Sequence, residues 1–202
     1  AEIIKNNGFD DPEFFNKGVN HIIDESKRLH NLVINLLEVS KETSKIEEEF
    51  RRVDVSELLI NTCQNMRFKA QRYKNRIECR VEDTFFVYGS SNRVKQVFIN
   101  IIDNAIKYGY ANSVIQVEAY AHDEYIEIKV RNEGQGINED DISKVFQSFY
   151  RVDKKKSREL GSCGLGLSIA RSIVEKHNGE ITINSIINKE TSVLIKLPLC
   201  RA

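Results

Sequence analysis

The first fifty residues of the chain carry apolar residues at intervals of three, four and seven, which predicts a helix with one narrow buried face. This face comprises Ile22, Ser26, Leu29, Val33, Leu36, Leu37 and Ser40. A stripe so narrow and sustained is typical of a helical bundle. The pattern alone leaves two interpretations open: an arm that packs on a main domain, or half of a helical hairpin that dimerises. Residues 41–52 are charged and lack this stripe, which indicates a hinge or a helix extension.

From residue 53 onward, helical periodicity and strand-like alternation are mixed along the chain. We predict helices over residues 54–73, 92–107, 139–146 and 165–177. We predict strands over residues 77–82, 85–88, 114–121, 125–131, 180–186 and 192–197. The polar and basic residues 153–162 are predicted to form a mobile loop. This order favours an α/β protein, a two-layer α/β sandwich in which helices cover one mixed sheet.

Composition and charge narrow the function classes. Thirty basic and thirty acidic residues give a net charge of zero, which argues against a general nucleic-acid or acidic-membrane binder. Hydrophobic residues make up 41% of the chain, enough for a real core, and none of their runs approaches the roughly 20 residues of a membrane span. The four cysteines form no CxxC pair, which favours reduced thiols in the cytosol. The start at Ala1 indicates a piece of a longer chain.

Three polar residues lie on one face of the helix predicted over residues 92–107. Asn100, Asn104 and Lys107 are spaced by four and three residues, so they project together. Two carboxamides and an ammonium group can be solvated surface, or they can be ligands for a hard cation and a donor to a phosphate. These residues by themselves favour the solvated surface.

Two glycine-containing segments flank predicted elements. Gly134 and Gly136, within residues 132–137, follow a strand and permit close approach of the backbone to a ligand, although a tight turn is equally compatible. Residues 161–167 lead into a helix, where backbone amides and the helix dipole can bind phosphate. Neither segment is a complete dinucleotide or Walker A motif.

Two more segments stand between these glycines. Phe146 and Phe149, within residues 146–151, are three apart, a spacing more typical of core than of a site. The run Lys-Lys-Lys-Ser-Arg at residues 154–158 can fold over a triphosphate or remain solvated.

The order of these segments resembles the ATP-binding domain of sensor histidine kinases, in the family shared with gyrase, Hsp90 and MutL. Residues 100–108 resemble the N box, 132–137 the G1 box, 146–151 the F box and 161–167 the G2 box. The resemblance extends from about residue 53 to 199 and implies the Bergerat-type ATP-binding fold. Asn100 favours the kinase branch, because the ATPase branch usually has a catalytic Glu at that position.

The resemblance also accounts for the first segment. Residues 24–37 resemble the second helix of a dimerisation and phosphotransfer hairpin, and residues 1–6 resemble the tail of its first helix. We therefore expect a partial hairpin over residues 1–52, preceding an ATP-binding catalytic domain over residues 53–202. The acceptor histidine of the family lies earlier, in a His-Glu/Asp-x-x-Thr/Asn-Pro context. We assign no phosphoacceptor in this chain, because that context surrounds none of its histidines, His21, His30, His122 and His177.

Roles for individual residues follow from the resemblance. Asn100 would orient the γ-phosphate or the attacking imidazole, while Lys107 and Arg151 would assist catalysis at the phosphates. Asn104 would hold Mg²⁺ through its side-chain oxygen, and Tyr108 would lie against the adenine or ribose. With Asn100, Asn104, Lys107 and Tyr108, the ATP-binding set comprises Asn132, Gly134, Gly136, Ile137, Phe149, Arg158, Gly161, Gly164, Leu165, Gly166 and Leu167.

One departure from the family pattern affects the adenine site. The G1 box usually begins with an Asp that accepts a hydrogen bond from the adenine amino group, whereas this chain has Asn132. A neutral hydrogen bond is weaker than a charged one by about 1 kcal/mol, or several-fold in affinity. We expect ATP binding that is weaker than in an Asp form.

The expected function is that of a protein-histidine kinase in a two-component system. It would transfer the γ-phosphate of Mg-ATP to a histidine of the dimerisation helix, for onward transfer to an aspartate of a response-regulator receiver domain. We expect a cytoplasmic homodimer that contacts a membrane only through upstream regions and binds no nucleic acid. The alternatives are a nucleotide-responsive scaffold without transfer activity and a weak ATPase of the same fold.

Overall fold

The structure is a computed structural model that describes residues 13–23, 25–26 and 49–200. The chain divides into two compact units, residues 1–46 and 47–202. Within the first unit, the described residues 13–23 and 25–26 are helical. Most of the predicted apolar face, the tail assigned to residues 1–6 and His30 lie outside the described residues, so the partial hairpin over residues 1–52 stays a prediction.

The second unit mixes helices and strands without strict alternation. Its elements in chain order are β1 (Arg51–Asp54), α1 (Val55–Arg72), β2 (Arg76–Val81), β3 (Phe86–Gly89), α2 (Ser91–Tyr108), β4 (Val114–Ala121), β5 (Tyr125–Glu133), α3 (Glu139–Ile142), α4 (Lys154–Glu159), α5 (Gly166–Lys176), β6 (Glu180–Ile186) and β7 (Glu190–Pro198).

Five strands form one mixed sheet in the order β2-β4-β5-β7-β6. β2 and β4 run parallel, and the remaining neighbours are antiparallel. Along β5 every second residue is buried, including Ile126, Ile128 and Val130. This period of two places one face of the sheet against α1, α2 and α5. The prediction of a two-layer α/β sandwich with a mixed sheet is confirmed.

Helix α2 lies at the centre of the helical layer and carries both core and site residues. Phe98, Ile101 and Ile102 are each at most 1% exposed. Burial of each of these side chains contributes about 1.5–3 kcal/mol to the stability of the fold. Their burial on one side fixes the rotation of the helix about its axis. The polar face with Asn100 and Asn104 is thereby turned away from the sheet.

The interpretation of residues 41–52 as a hinge or helix extension is wrong for residues 51 and 52, which begin the strand β1. Arg51 and Arg52 pair with Gly89 and Tyr88 of β3 in a separate two-stranded sheet. A four-residue strand with two arginines has no apolar alternation that could have revealed it. Its stability comes from β3 and from the Arg52 guanidinium, which lies 3.9 Å from the centroid of the Phe86 ring.

Two predicted elements differ in length or type. α3 ends at Ile142 rather than at residue 146, and turns follow it. The segment predicted as a mobile loop over residues 153–162 contains α4. The carboxylate of Asp153 caps this helix by accepting bonds from the Lys155 and Lys156 amides, each at 2.9 Å.

Candidate functional site

A hydrogen bond joins the polar face of α2 to the start of α5. Asn100 Nδ2 donates to the Gly166 carbonyl oxygen at 3.1 Å. Leu165, in the N-cap position of α5, is 1% exposed and anchors this helix start in the core. The side chain of this N-cap residue makes no capping hydrogen bond to the first amides of α5. Because the amides of a first helical turn have no partner within the helix, they are donors suited to an anion such as phosphate.

Farther along the same face, Asn104 and Lys107 differ in their contacts. The half-buried carboxamide of Asn104 makes no hydrogen bond within the described part of the chain. Lys107 Nζ lies 2.8 Å from Asp103 Oδ2, and the same carboxylate contacts Lys69 of α1. Asp103 was not predicted from the sequence, although a carboxylate four residues before a lysine on a helix is a recognisable pairing signal.

The end of α2 meets the end of β5. Gly109 and Gly134 form an antiparallel bridge, and the Tyr110 amide donates to the Glu133 carbonyl at 2.9 Å. A Cβ atom on Gly134 would lie 2.6 Å from the Tyr108 carbonyl oxygen, so this crossing has no space for a side chain. The N-box and G1-box segments are therefore in direct contact.

Asn132 is the penultimate residue of β5 and is 6% exposed. Its Nδ2 donates to the Glu133 carbonyl at 3.3 Å. Within residues 49–200 its side-chain oxygen has no hydrogen-bond donor. A nearly buried amide with a free acceptor is suited to a ligand N–H group.

The loop after β5 lies against the end of β6. Gly136 has a φ of +71°, and a Cβ atom there would lie 2.5 Å from the Ile186 carbonyl oxygen. The next residue, Ile137, donates its amide to Ser185 Oγ at 2.9 Å. Glycine is required at residue 136 for both its conformation and its space.

The F-box and G2-box segments are also in contact. The Phe149 amide donates to the Gly164 carbonyl at 2.8 Å. Both residues have positive φ, +66° and +74°, and a Cβ atom on Gly164 would lie 2.7 Å from the Tyr150 carbonyl oxygen. Phe146 packs against the core as its spacing suggested, whereas the Phe149 side chain is 57% exposed.

Other predicted site residues lie around these contacts. Arg151 is half-buried and makes no ion pair with a described residue. Leu167 is half-buried and packs on the core. Gly161 has a φ of +62° and open space around its Cβ position. Arg158 belongs to α4, and its side chain lies outside the described residues.

Helix α4 contacts two of the other segments. The hydroxyl groups of Ser157 and Tyr108 are 3.1 Å apart, and Lys156 Nζ donates to Gln135 Oε1 at 2.9 Å. These two contacts link α4 to the N-box and G1-box segments, and the Asn100–Gly166 bond links the N box to the G2 box. The F box joins the G2 box through the bond from Phe149 to Gly164.

Comparison with known proteins decides the family. Residues 89–201 match the family described as histidine kinase-, DNA gyrase B- and HSP90-like ATPase. The chain belongs to this family. It is homologous to the catalytic ATPase domains of sensor histidine kinases.

Two relatives are sensor protein kinases WalK. The protein of Staphylococcus haemolyticus is 33% identical over 177 residues, which cover 87% of this chain and 29% of the relative. The protein of Staphylococcus aureus is 32% identical over 177 residues, which cover 87% of this chain and 43% of the relative. The chain therefore spans less than half the length of these relatives.

Two solved structures have the same fold. Histidine kinase ThkA in complex with the response regulator TrrA has a TM-score of 0.74 at 26% identity, covering 94% of this chain and 53% of that chain. Full-length ShkA in complex with AMPPNP has a TM-score of 0.79 at 21% identity, covering 93% of this chain and 39% of that chain.

Proposed function

We propose that the chain is the ATP-binding catalytic part of a sensor histidine kinase. It binds Mg-ATP and transfers the γ-phosphate to a histidine of a dimerisation helix, for onward transfer to a response-regulator aspartate. The observation that carries this proposal is the Asn100–Gly166 bond, because it holds a polar helix face beside uncapped helix amides. The AMPPNP bound to ShkA and the response regulator bound to ThkA support the same ligand and partner classes here.

The phosphates would lie at the start of α5. The amides that follow Leu165 would donate to phosphate oxygens, with Lys107 adding a positive charge. Asn100 has one N–H committed to Gly166, so its side-chain oxygen remains free to accept from the N–H of an attacking imidazole. Arg151, with no ion pair among the described residues, would contribute a second cation. Phosphoryl transfer requires mainly such positioning and charge neutralisation.

The residues present fit a magnesium ion. The Asn104 side chain provides an oxygen with no hydrogen-bond partner in the described residues, and Mg²⁺ combines few protein ligands with water and substrate phosphates. No group of three or more His, Cys, Asp or Glu residues in the described ranges is arranged to hold a metal by itself. Asn104 would therefore hold the ion together with ATP, and the ion would neutralise charge on the transferring phosphate.

The adenine would reach the end of β5. The free side-chain oxygen of Asn132 would accept a bond from the adenine amino group, and Tyr108 would lie against the adenine or ribose. The turn at Gly134 and Gly136 lets the backbone pass close to the base, while Ile137 and Phe149 add apolar surface. The glycines at residues 161, 164 and 166 and the side chains of Arg158 and Leu167 complete the proposed ATP-binding set.

The intact protein would act as a homodimer through the hairpin assigned to residues 1–52. We place the catalytic unit in the cytoplasm, with a response-regulator receiver domain as its partner and no nucleic acid. In the described part of the chain, none of the helices is sufficiently long and apolar to span a membrane.

A labelling experiment tests the kinase proposal. The chain is mixed with γ-labelled Mg-ATP and a separate dimerisation hairpin that carries an acceptor histidine, and acid-labile phosphohistidine is measured. We expect a label that Asn104→Ala removes and the matched Asn92→Ala retains, since Asn92 is an exposed residue of the same helix. Steady phosphate release without an acceptor would instead favour a weak ATPase.

A second candidate function is a nucleotide-responsive scaffold without transfer activity. Asn132 favours it, because a neutral adenine contact weakens ATP binding. The scaffold is favoured if the chain binds ATP but transfers no label to the hairpin, under conditions in which a relative labels the same hairpin.

A further inference from the structure

We propose that Cys63 and Cys79 form a peroxide-sensitive thiol pair, in which oxidation closes a reversible disulfide between α1 and β2. Cys63 lies on the buried face of α1, and Cys79 belongs to the strand β2. The Cys63 thiol donates a hydrogen bond to the Cys79 sulfur. The pair lies outside the proposed ATP-binding set, and its oxidation requires no nucleotide.

The packing of α1 on β2 brings the two thiols together. Val55, Leu59 and Cys63 are spaced by four residues on α1 and are each at most 1% exposed, so they share the face that enters the core. Ile77 and Cys79 point to the same side of β2, because side chains alternate along a strand, and both pack in the core. The contact between the thiols therefore follows from the way the helix lies on the sheet.

The two cysteines differ in their access to solvent. Cys63 is 1% exposed, whereas Cys79 is only half-buried and belongs to an edge strand of the five-stranded sheet. A small oxidant in solution therefore reaches Cys79 first. The hydrogen bond then places Cys63 as the thiol next to any oxidised Cys79 sulfur.

Electrostatics assigns the same roles to the two thiols. The hydrogen bond from Cys63 lowers the pKa of the Cys79 thiol, burial opposes this, and the charge of Arg67 adds to the lowering. The same hydrogen bond and burial raise the pKa of Cys63. Because the thiolate is the nucleophile, Cys79 is the residue that reacts with peroxide.

The oxidation has two steps. The Cys79 thiolate attacks one oxygen of hydrogen peroxide, the O–O bond breaks, and the other oxygen leaves as water after taking up a proton. The sulfur of Cys63 then attacks the Cys79 sulfenic acid, the S–O bond breaks, and that oxygen leaves as a second water with the Cys63 proton. Two thiols and one peroxide thus become one disulfide and two waters.

A disulfide of this kind is compatible with a reducing compartment. The four cysteines are all free in the structure. Disulfides in cytosolic proteins are usually transient and are formed by catalytic or redox-sensing thiols. A thiol would reduce the Cys63–Cys79 disulfide and restore the free pair, which makes the modification reversible.

Peptide mapping of the 202-residue chain tests the pairing without any variant. The folded chain is treated with hydrogen peroxide, its remaining thiols are blocked, and it is digested with trypsin. Arg67 and Arg76 are cleavage sites between the two cysteines, so the disulfide joins the peptides 53–67 and 77–80. We expect this linked peptide from the folded chain and its loss after dithiothreitol. A linked peptide that is absent, or that forms only in urea, would overturn the pairing.

Trapping with dimedone, which labels sulfenic acids, tests the order of the steps. Cys63→Ala should accumulate labelled Cys79, since the resolving thiol is gone, whereas the wild type should lose most of this label to the disulfide. Cys200→Ser is the matched control, because it removes a half-buried thiol outside α1 and β2 and should form the linked peptide as the wild type does. Equal labelling of Cys79 in wild type and Cys63→Ala would overturn the role of Cys63. If Cys63→Ala does not fold, mapping of the wild type still decides the pairing.

The rate at which the linked peptide appears tests the contribution of Arg67. Arg67→Gln should slow its formation about two- to fivefold, because an exposed charge contributes modestly to the stability of a neighbouring thiolate. Arg72→Gln removes an equal charge from an exposed position in the last turn of the same helix and should leave the rate unchanged. Equal rates in the two variants would overturn the assignment of Arg67 as the residue that activates Cys79.

Discussion

Asn100 on α2 donates a 3.1 Å hydrogen bond to the carbonyl oxygen of Gly166, the first residue of α5. The bond couples two helices that pack against each other in the helical layer. A Cβ atom at Gly166 would lie 3.7 Å from Asn100 Cγ, in ordinary van der Waals contact. The carboxamide of Asn100 therefore links the polar face of α2 to the first residue of α5.

Asn100→Ala should weaken ATP binding about three- to tenfold, because a neutral hydrogen bond contributes about 0.5–1.5 kcal/mol and its loss removes the link between the polar face of α2 and Gly166. Isothermal titration with Mg-ATP measures the effect. Asn92→Ala serves as control, since it truncates an exposed side chain in the first turn of the same helix. If both variants bind ATP as the wild type does, the bond does not organise the site.

Asn132→Asp should bind ATP several-fold more tightly, because a charged acceptor strengthens the bond from the adenine amino group by about 1 kcal/mol. The same titration compares it with Asn184→Asp, which adds an equal charge at an exposed position of β6. Equal or tighter binding by the wild type would defeat the hypothesis that Asn132 weakens the adenine site.

Lys107 and Lys69 share the Asp103 carboxylate but should differ in their effect on ATP. Lys107 is 14% exposed, whereas Lys69 is 41% exposed and belongs to α1. Lys107→Met should lower ATP affinity about tenfold through loss of a charged phosphate contact, and Lys69→Met should change it less than about twofold. Both variants are titrated with ATP. Equal losses would show that the carboxylate pairing, rather than a phosphate contact, underlies the effect of Lys107.

The sequence predicted the sheet and its covering helices, because hydrophobic periodicity is a local signal, whereas the four site segments were identified as such through the family resemblance. It did not predict the contacts that close the site. Asp103 is held by Lys69 of another helix, and the buried Ser157 hydroxyl lies 3.1 Å from the hydroxyl of Tyr108, which is distant in the sequence. β1 was missed for the same reason, since its stability comes from pairing with β3 rather than from its own residues.

Gly136→Ala and Gly161→Ala should separate backbone strain from steric overlap. Both glycines have positive φ, +71° and +62°, so alanine costs roughly 1–2 kcal/mol at either. At Gly136 the added Cβ would also lie 2.5 Å from the Ile186 carbonyl oxygen, whereas Gly161 is open. Urea unfolding should therefore show a clearly larger loss for Gly136→Ala. Equal losses would contradict the close approach between the loop after β5 and the end of β6.

The Arg131–Glu190 pair between β5 and β7 should make stability depend on pH. Arg131 Nε donates to Glu190 Oε2 at 2.9 Å, and this bond lowers the pKa of Glu190 below its usual value of 4.5. A carboxylate with a lowered pKa in the folded state stabilises the fold above 4.5 and loses that contribution as the pH falls through its folded-state pKa.

Glu190→Gln should therefore be less stable than the wild type in urea unfolding at neutral pH, and the difference should shrink as the pH falls well below 4.5. The control is Glu175→Gln, which removes an exposed pair with Arg171 and should have little effect at either pH, because exposed ion pairs contribute about 0–1 kcal/mol. A stability difference for Glu190→Gln that persists unchanged in acid would mean that the charge of Glu190 does not stabilise the β5–β7 pairing.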